Sequence, residues 1–298
     1  MKQISIVIVT YNSEKDIYDC VKSIRNFADI PIKEIELIII DNNSKNPIPM
    51  FENIRKEWGR DIVTIQNKKN GGYGQGNNIG IQHASAPIVL IMNPDVRLTS
   101  PCFKKVIKTF ENRPQLSMYG MKQLLDDGRK SRSSLLFSNR INGYIATILM
   151  GFCNRFDIYI PKYMFFSGAC FFIRKSMFES IGLFDESVFM YGEEEDIHNR
   201  MQARFGNHFF YDKYNYYKHL TLQRKESIET DLKMLKSVIQ VNQKLSYPKE
   251  YIIRHKIQNT NILIWREKFK QILQLKFNSE RLQMLKEYKH KLSQILNE

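Results

Sequence analysis

Over the first hundred residues, short apolar runs alternate with segments whose apolar positions recur three and four residues apart. Residues 4–9 (ISIVIV) and 35–40 (IELIII) are dense in β-branched side chains, the pattern of strands buried on both faces. Between them Ile17, Cys20, Val21, Ile24 and Phe27 keep helical spacing, and Ser13 with Asp16 resembles a capping box. Residues 50–58 read as a helix, 62–65 as a third strand and 87–92 as a fourth; the glycine-rich stretch 71–76 reads as a turn opening a helix to about His83. This alternation predicts an α/β fold with a mostly parallel sheet flanked by helices.

The second half is less regular. Residues 122–165 mix Arg129, Lys130, Arg132, Ser133 and Ser134 with an apolar stretch at 144–152. Strand character returns at 165–173 and helical character at 174–181, and residues 190–204 carry an acidic cluster at a helix start. From residue 227 onward the pattern is helical, basic and amphipathic, interrupted at Pro248.

Composition narrows the classes. Hydrophobic residues make up 43% and aromatic residues 12% of 298 positions, enough for a packed core and against disorder. The four cysteines (Cys20, Cys102, Cys153, Cys170) are scattered, which fits a reducing compartment and argues against a zinc site or a disulfide scaffold. The apolar run at 4–9 is shorter than a signal-peptide core, and no apolar stretch is long enough to span a bilayer; the expectation is a cytoplasmic chain, peripheral at most. The net charge of +14 points to an anionic partner or to a merely solubilising surface. Residues 249–298 hold eleven Lys and Arg against five Glu, so the excess is partly C-terminal.

Polar clusters follow three of the expected strands, where open α/β sheets bind their ligands. Thr10-Tyr11-Asn12 ends the first and Asp41-Asn42-Asn43-Ser44 the second; Asp41 is placed to accept the imide N–H of uracil or thymine, although such residues also serve as ordinary caps and turns. Asn70 to Asn78 (NGGYGQGNN) opens a helix whose N-terminus favours anions, but Gly74, Gly76 and Gly80 miss the dinucleotide spacing by one residue. Asn93-Pro94-Asp95 sets a carboxylate at a strand end, suited to Mg²⁺ or Mn²⁺ on a diphosphate or simply to a turn. Glu193-Glu194-Glu195-Asp196 supplies either a general base with a raised pKa or carboxylates favoured by the helix dipole. His219 is a metal ligand or a structural side chain.

In this order, these motifs together with Ser167-Gly168-Ala169 and Tyr191-Gly192-Glu193-Glu194 resemble family-2 glycosyltransferases, in particular the rhamnosyltransferase-like branch of bacterial cell-surface polysaccharide synthesis. The resemblance implies a GT-A fold over 1–226, with a nucleotide-sugar half at 1–121 and an acceptor half at 122–226, followed by a helical extension at 227–298. By position it implies that Thr10, Tyr11, Asn12, Asp41, Gly72, Asn77, Asn78 and Asn93 line the nucleotide-sugar site. Asp95 and His219 would hold a divalent metal (Mn²⁺ or Mg²⁺). Glu194, with Glu193 and Asp196 nearby, would supply the general base. Two departures stand out: Asn93 replaces the first Asp of the metal motif, and Glu194 replaces the family's Asp. The implied activity is inverting transfer from dTDP-rhamnose or a UDP-hexose to a saccharide or lipid-linked acceptor, at the inner face of the cell membrane. The sequence leaves open a homo-oligomer, and leaves the basic C-terminal helices either on a membrane or packed on protein. A catalytically idle nucleotide-sugar binder is the alternative within the fold. A nucleic-acid-binding protein is disfavoured, because no such signature is visible and the acidic cluster would repel phosphates.

Overall fold

A computed structural model describes residues 1–59, 61–220 and 227–297. Along the chain lie β1 (Ile4–Thr10), α1 (Glu14–Asn26), β2 (Ile35–Asp41), α2 (Pro47–Trp58), β3 (Val63–Gln66), α3 (Gly72–His83), β4 (Ile88–Met92), β5 (Val96–Leu98), α4 (Phe103–Asn112) and β6 (Met118–Leu124). They are followed by β7 (Ser134–Leu136), α5 (Gly143–Phe156), β8 (Met164–Phe166), β9 (Cys170–Arg174), α6 (Lys175–Ser180), α7 (Glu193–Phe205), β10 (Phe209–His219), α8 (Ile228–Lys244), α9 (Lys249–Ile272) and α10 (Ser279–Asn297). The chain divides into two units, Met1–Ser134 with Phe165–Leu222 and Leu135–Met164 with Gln223–Glu298.

The first unit is built on an eight-stranded sheet of order β3-β2-β1-β4-β9-β6-β10-β5. The four N-terminal strands run parallel, β9 inserts antiparallel between β4 and β6, β10 is parallel to β6, and β5 closes the edge antiparallel to β10. The mostly parallel α/β class is therefore as the sequence predicts. Ile4, Ile6 and Ile8 of β1 join one core cluster with Leu37 and Ile39 of β2, Ile17, Val21 and Ile24 of α1, and Phe103 and Val106 of α4. Alternate residues turn to the other face, where α3 lies on Val7 and Val9.

That packing revises the reading of the glycine-rich stretch. Gly72 to Gly76 are the first turn of α3 itself rather than a turn before it. A Cβ on Gly76 would fall 2.7 Å from Val9 Cγ1, and one on Gly80 2.3 Å from Val7 Cγ1, so these glycines let a helix lie close on a β-branched strand. The strand expected at 165–173 is likewise two, β8 and β9, broken at Ser167-Gly168-Ala169. Ser13 does sit at the N-cap of α1, but its hydroxyl bonds the Tyr11 carbonyl at 3.2 Å and makes no capping bond.

The second unit is helical. Leu235 of α8, Ile252 and Ile253 of α9, and Tyr288 and Leu292 of α10 form its core. Helix α5 joins it closely: the Gly143 N–H donates to Gln258 Oε1 (2.9 Å), Thr147 Oγ1 lies 2.7 Å from Asn259 Oδ1, and a Cβ on Gly143 would sit 2.3 Å from the His255 carbonyl. Residues 135–164, grouped by sequence with 122–226, thus pack with the C-terminal helices. The boundary read at residue 226 lies outside the described residues. No described helix is long and apolar enough to cross a membrane.

Candidate active site

The in-step register of β1 and β2 brings Thr10 opposite Asp41, so two polar clusters finish side by side. Asp41 is fully buried, and its carboxylate accepts from Thr10 Oγ1 (3.2 Å), Ser44 Oγ (2.5 Å) and the Ser44 N–H (2.8 Å). The Ser44 hydroxyl in turn receives the Asn12 N–H at 2.8 Å. Asp41 thus lies behind Ser44, and Tyr11 and Asn12 are the exposed groups at the mouth. Both Asn12 (φ 51°) and Asn43 (φ 67°) are left-handed, a conformation asparagine tolerates better than most residues.

The opening of α3 is anchored to the same edge. Asn42 Nδ2 donates to the Gly72 carbonyl (2.8 Å), and Asn67 Nδ2 bridges Asn42 Oδ1 and Gln75 Oε1, each at 3.1 Å. Gly72 has φ 89°, and a Cβ there would lie 2.1 Å from the Phe189 carbonyl, so no other residue fits without moving backbone. Asn77 and Asn78 are buried. Asn77 Nδ2 bonds the Tyr73 carbonyl (2.9 Å); the Asn78 amide pairs with both the N–H and the carbonyl of Phe184, each at 2.9 Å.

On the far side of β4, the Asn93-Pro94-Asp95-Val96 turn is closed by Val96 N–H to Asn93 O (3.1 Å). Pairing of β5 with β10 sets His219 opposite Val96, and His219 Nε2 lies 3.3 Å from Asp95 Oδ1. His219 Nδ1 is buried without a partner. Adjacent ligands on an octahedral ion bound at about 2.1 Å stand roughly 3 Å apart, so an oxygen and a nitrogen at this separation fit two neighbouring positions of one divalent cation. Among the described residues no group of three or more His, Cys, Asp or Glu could hold a metal, so the other positions would fall to phosphate oxygens and water.

The acidic cluster meets this turn through Ser167-Gly168-Ala169. The Asn93 N–H donates to the Ala169 carbonyl (2.8 Å), the Tyr73 hydroxyl to the Gly168 carbonyl (2.6 Å), and the Gly168 N–H to the Glu194 carboxylate. A Cβ on Gly168 would fall 2.0 Å from Glu194 Oε1, so the carboxylate occupies the space a side chain would take. Tyr191 (φ 72°) and Gly192 (φ 96°), both left-handed, swing the chain into α7 and set Glu193 and Glu194 at its start. Burial, reinforced by the neighbouring Glu194, pushes the Glu193 carboxyl up to about 8, and its Oε1 has no partner. Burial also raises Glu194, opposed by backbone N–H donors that include Gly168. Asp196 turns elsewhere: it pairs with Arg200 (Nε 2.9 Å, Nη2 2.5 Å), whose guanidinium also bonds the carbonyls of Ile181 and Leu183.

Two residues that the sequence reading gave no role shape this arrangement. Tyr73 carries the contact between α3 and the Gly168 turn; its only signal was its place among glycines. The fully buried His198 accepts the Phe166 N–H at Nε2 (3.1 Å), which leaves the proton on Nδ1 to donate to the Glu194 carbonyl (2.7 Å). Its signal was a position one helical turn beyond Glu194.

A family model described as Glycosyl transferase family 2 matches residues 5–182. The chain belongs to this family. It is similar to the low-salt glycan biosynthesis hexosyltransferase of Haloferax volcanii, 27% identical over 200 residues that cover 65% of this chain and 60% of that protein. It therefore spans about 60% of that relative's length. Among solved structures it resembles the mannosyltransferase of Pyrobaculum calidifontis in complex with GDP-Man and Mn²⁺, with a TM-score of 0.65 at 11% identity, covering 99% of this chain and 86% of that one. It also resembles residues 1–349 of Staphylococcus aureus TarS in complex with UDP, with a TM-score of 0.56 at 16% identity, covering 93% and 76%. These structures share the GT-A fold implied by the motifs.

Proposed function

We propose that this family member is an inverting, divalent-cation-dependent glycosyltransferase of cell-surface glycan synthesis. It moves a sugar from a UDP- or dTDP-linked donor, dTDP-rhamnose or a UDP-hexose, onto a saccharide or lipid-linked acceptor. The observation that carries the reading is Glu194. Its carboxylate, raised by burial, is seated on Gly168, whose neighbour Ala169 is bonded to the turn bearing Asp95. A base and a cation-binding pair joined through one short turn are what displacement at an anomeric carbon requires.

In this reading Tyr11 and Asn12 meet the nucleotide, and Asp41 fixes the strand ends behind them or reaches the base once Ser44 yields its bond. Gly72, Asn77 and Asn78 shape the start of α3 beside the donor, and Asn93 orients the cation-binding turn. Asp95 and His219 hold the cation, which when bound neutralises charge on the departing diphosphate. Glu194 accepts the proton of the acceptor hydroxyl as its oxygen bonds to the anomeric carbon. The bond to the diphosphate breaks on the opposite face, and configuration inverts. Glu193 keeps a proton near neutral pH and so spares Glu194 a second adjacent charge. Asp196 is committed to Arg200 and supports the site from behind. The GDP-Man and Mn²⁺ of the Pyrobaculum neighbour and the UDP of the TarS neighbour support a cation and a nucleotide donor.

Thermal unfolding with UDP, dTDP, GDP and CMP, each with and without Mn²⁺, tests the reading. A rise in midpoint with UDP or dTDP that needs the cation is expected. Glu194→Gln should retain that rise while losing sugar transfer. Absence of any nucleotide response, or full transfer by Glu194→Gln, would overturn it.

A further inference from the structure

The second unit presents an apolar surface to solvent. Helix α5 buries Gly143, Ala146 and Cys153, the small residues of one face. Its other face is not polar: Tyr144, Ile145, Ile148 (66% exposed), Phe152 (54%) and Phe156 all lie in solvent, and the only charge in the helix is Arg155. The end of α9 and the segment after it repeat the pattern. Trp265 and Phe269 stack with ring centroids 5.2 Å apart, and Ile272 (75% exposed), Leu273 and Leu275 follow, all in solvent among Arg266, Lys268, Lys270 and Lys276. A cavity of about 360 Å³ at that end is lined by Lys270, Lys276 and Arg281 together with Glu267 and Glu280, and Glu267 pairs with Lys270 at 2.7 Å. Apolar surface of this extent on a soluble fold marks an interaction face.

We propose that these two apolar stretches, with the basic residues around them, dock this unit on an anionic lipid surface. Two observations select lipid. First, charge complements it: the described residues of this unit hold seventeen Lys and Arg against seven Asp and Glu, about +10 of the chain's +14. Pairing of two such faces in a homodimer would bring two strongly positive units together, whereas an anionic bilayer attracts one. Second, exposed aromatic and branched side chains beside Lys and Arg are the composition of helices that lie in the headgroup region with their basic side chains at the charged surface. No described helix is long and apolar enough to cross the bilayer, so the contact is interfacial. The inference does not rest on the transferase reading; it stands on unit two alone.

The test is co-sedimentation of the full chain with vesicles of phosphatidylcholine alone or with about 30 mol% phosphatidylglycerol. Binding to the anionic vesicles should exceed binding to the neutral ones at least about tenfold and weaken as salt rises from roughly 0.1 to 0.5 M. Trp265, in solvent without lipid, should shift its emission to the blue, while Trp58, already buried, reports an unchanged fold. Ile148→Ser with Phe152→Ser should cut anionic-vesicle binding about tenfold or more with an unaltered unfolding midpoint. Equal or absent binding to the two vesicle types would overturn the proposal. So would an unaffected double variant, or a homodimer in solution that the same substitutions dissociate while no vesicle binding occurs.

Discussion

Gly168→Ala isolates the placement of the proposed base, Glu194, from its chemistry. Gly168 does not have a positive φ, so alanine imposes no backbone strain. Its methyl group, however, would arrive 2.0 Å from Glu194 Oε1 and 2.7 Å from Cδ and Cγ of the same side chain. An ordinary contact requires the carboxylate to retreat by more than about 1 Å. A misplacement of that size at a reacting group lowers turnover about 10²-fold, or about 2.7 kcal/mol in the barrier. Glu194 keeps part of its surface in solvent and the alanine adds no backbone strain; the midpoint of unfolding should move by no more than a few degrees. The assay compares donor turnover, nucleotide affinity and thermal midpoint in wild type and variant. A fall in turnover with nucleotide affinity and midpoint preserved is expected. Wild-type turnover in Gly168→Ala would refute the assignment of Glu194, because a base that tolerates such a displacement is not the base.

Three further outcomes follow from the same geometry. The folded-state pKa of Glu193 is raised to about 8 from an ordinary 4.5, so its contribution to stability is fully present below about 4.5 and is lost as pH rises to about 8; Glu193→Gln should flatten that decline in denaturant midpoints between pH 5 and 8.5, and an unchanged slope would contradict it. Gly80→Ala gains about 1 kcal/mol of helix propensity but forces a methyl to within 2.3 Å of Val7 Cγ1 on a buried strand, for a net loss of about 1–2 kcal/mol; calorimetry should show the midpoint lower by roughly 2–8 °C, and a rise would mean the strand yields. His219→Ala removes one of the two groups proposed to hold the cation and should abolish the Mn²⁺-dependent part of any nucleotide-induced stabilisation; an unaltered Mn²⁺ response would show that the pair with Asp95 is only a hydrogen bond.

The sequence by itself determined the parallel half of the sheet and the order of the motifs. The β-branched runs at residues 4–9 and 35–40 and the helical spacing of Ile17, Cys20, Val21 and Ile24 are local signals, set by which faces a strand or helix must bury. The polar clusters at the strand ends, in order with Ser167-Gly168-Ala169, the acidic cluster and His219, were enough to reach the family. What each residue touches was decided by the tertiary structure. Asp95 and His219 are 124 positions apart and meet only because β10 crosses the sheet to pair with β5. Glycines that read as a turn became a helix because Val7 and Val9 lie beneath them. Glu194 and Asp196, alike in sequence, part ways because one faces Gly168 and the other Arg200. Helix α5 was illegible for a related reason. It is apolar on both faces, so no periodicity marks it, and only its packing on α9 shows which face is left to solvent.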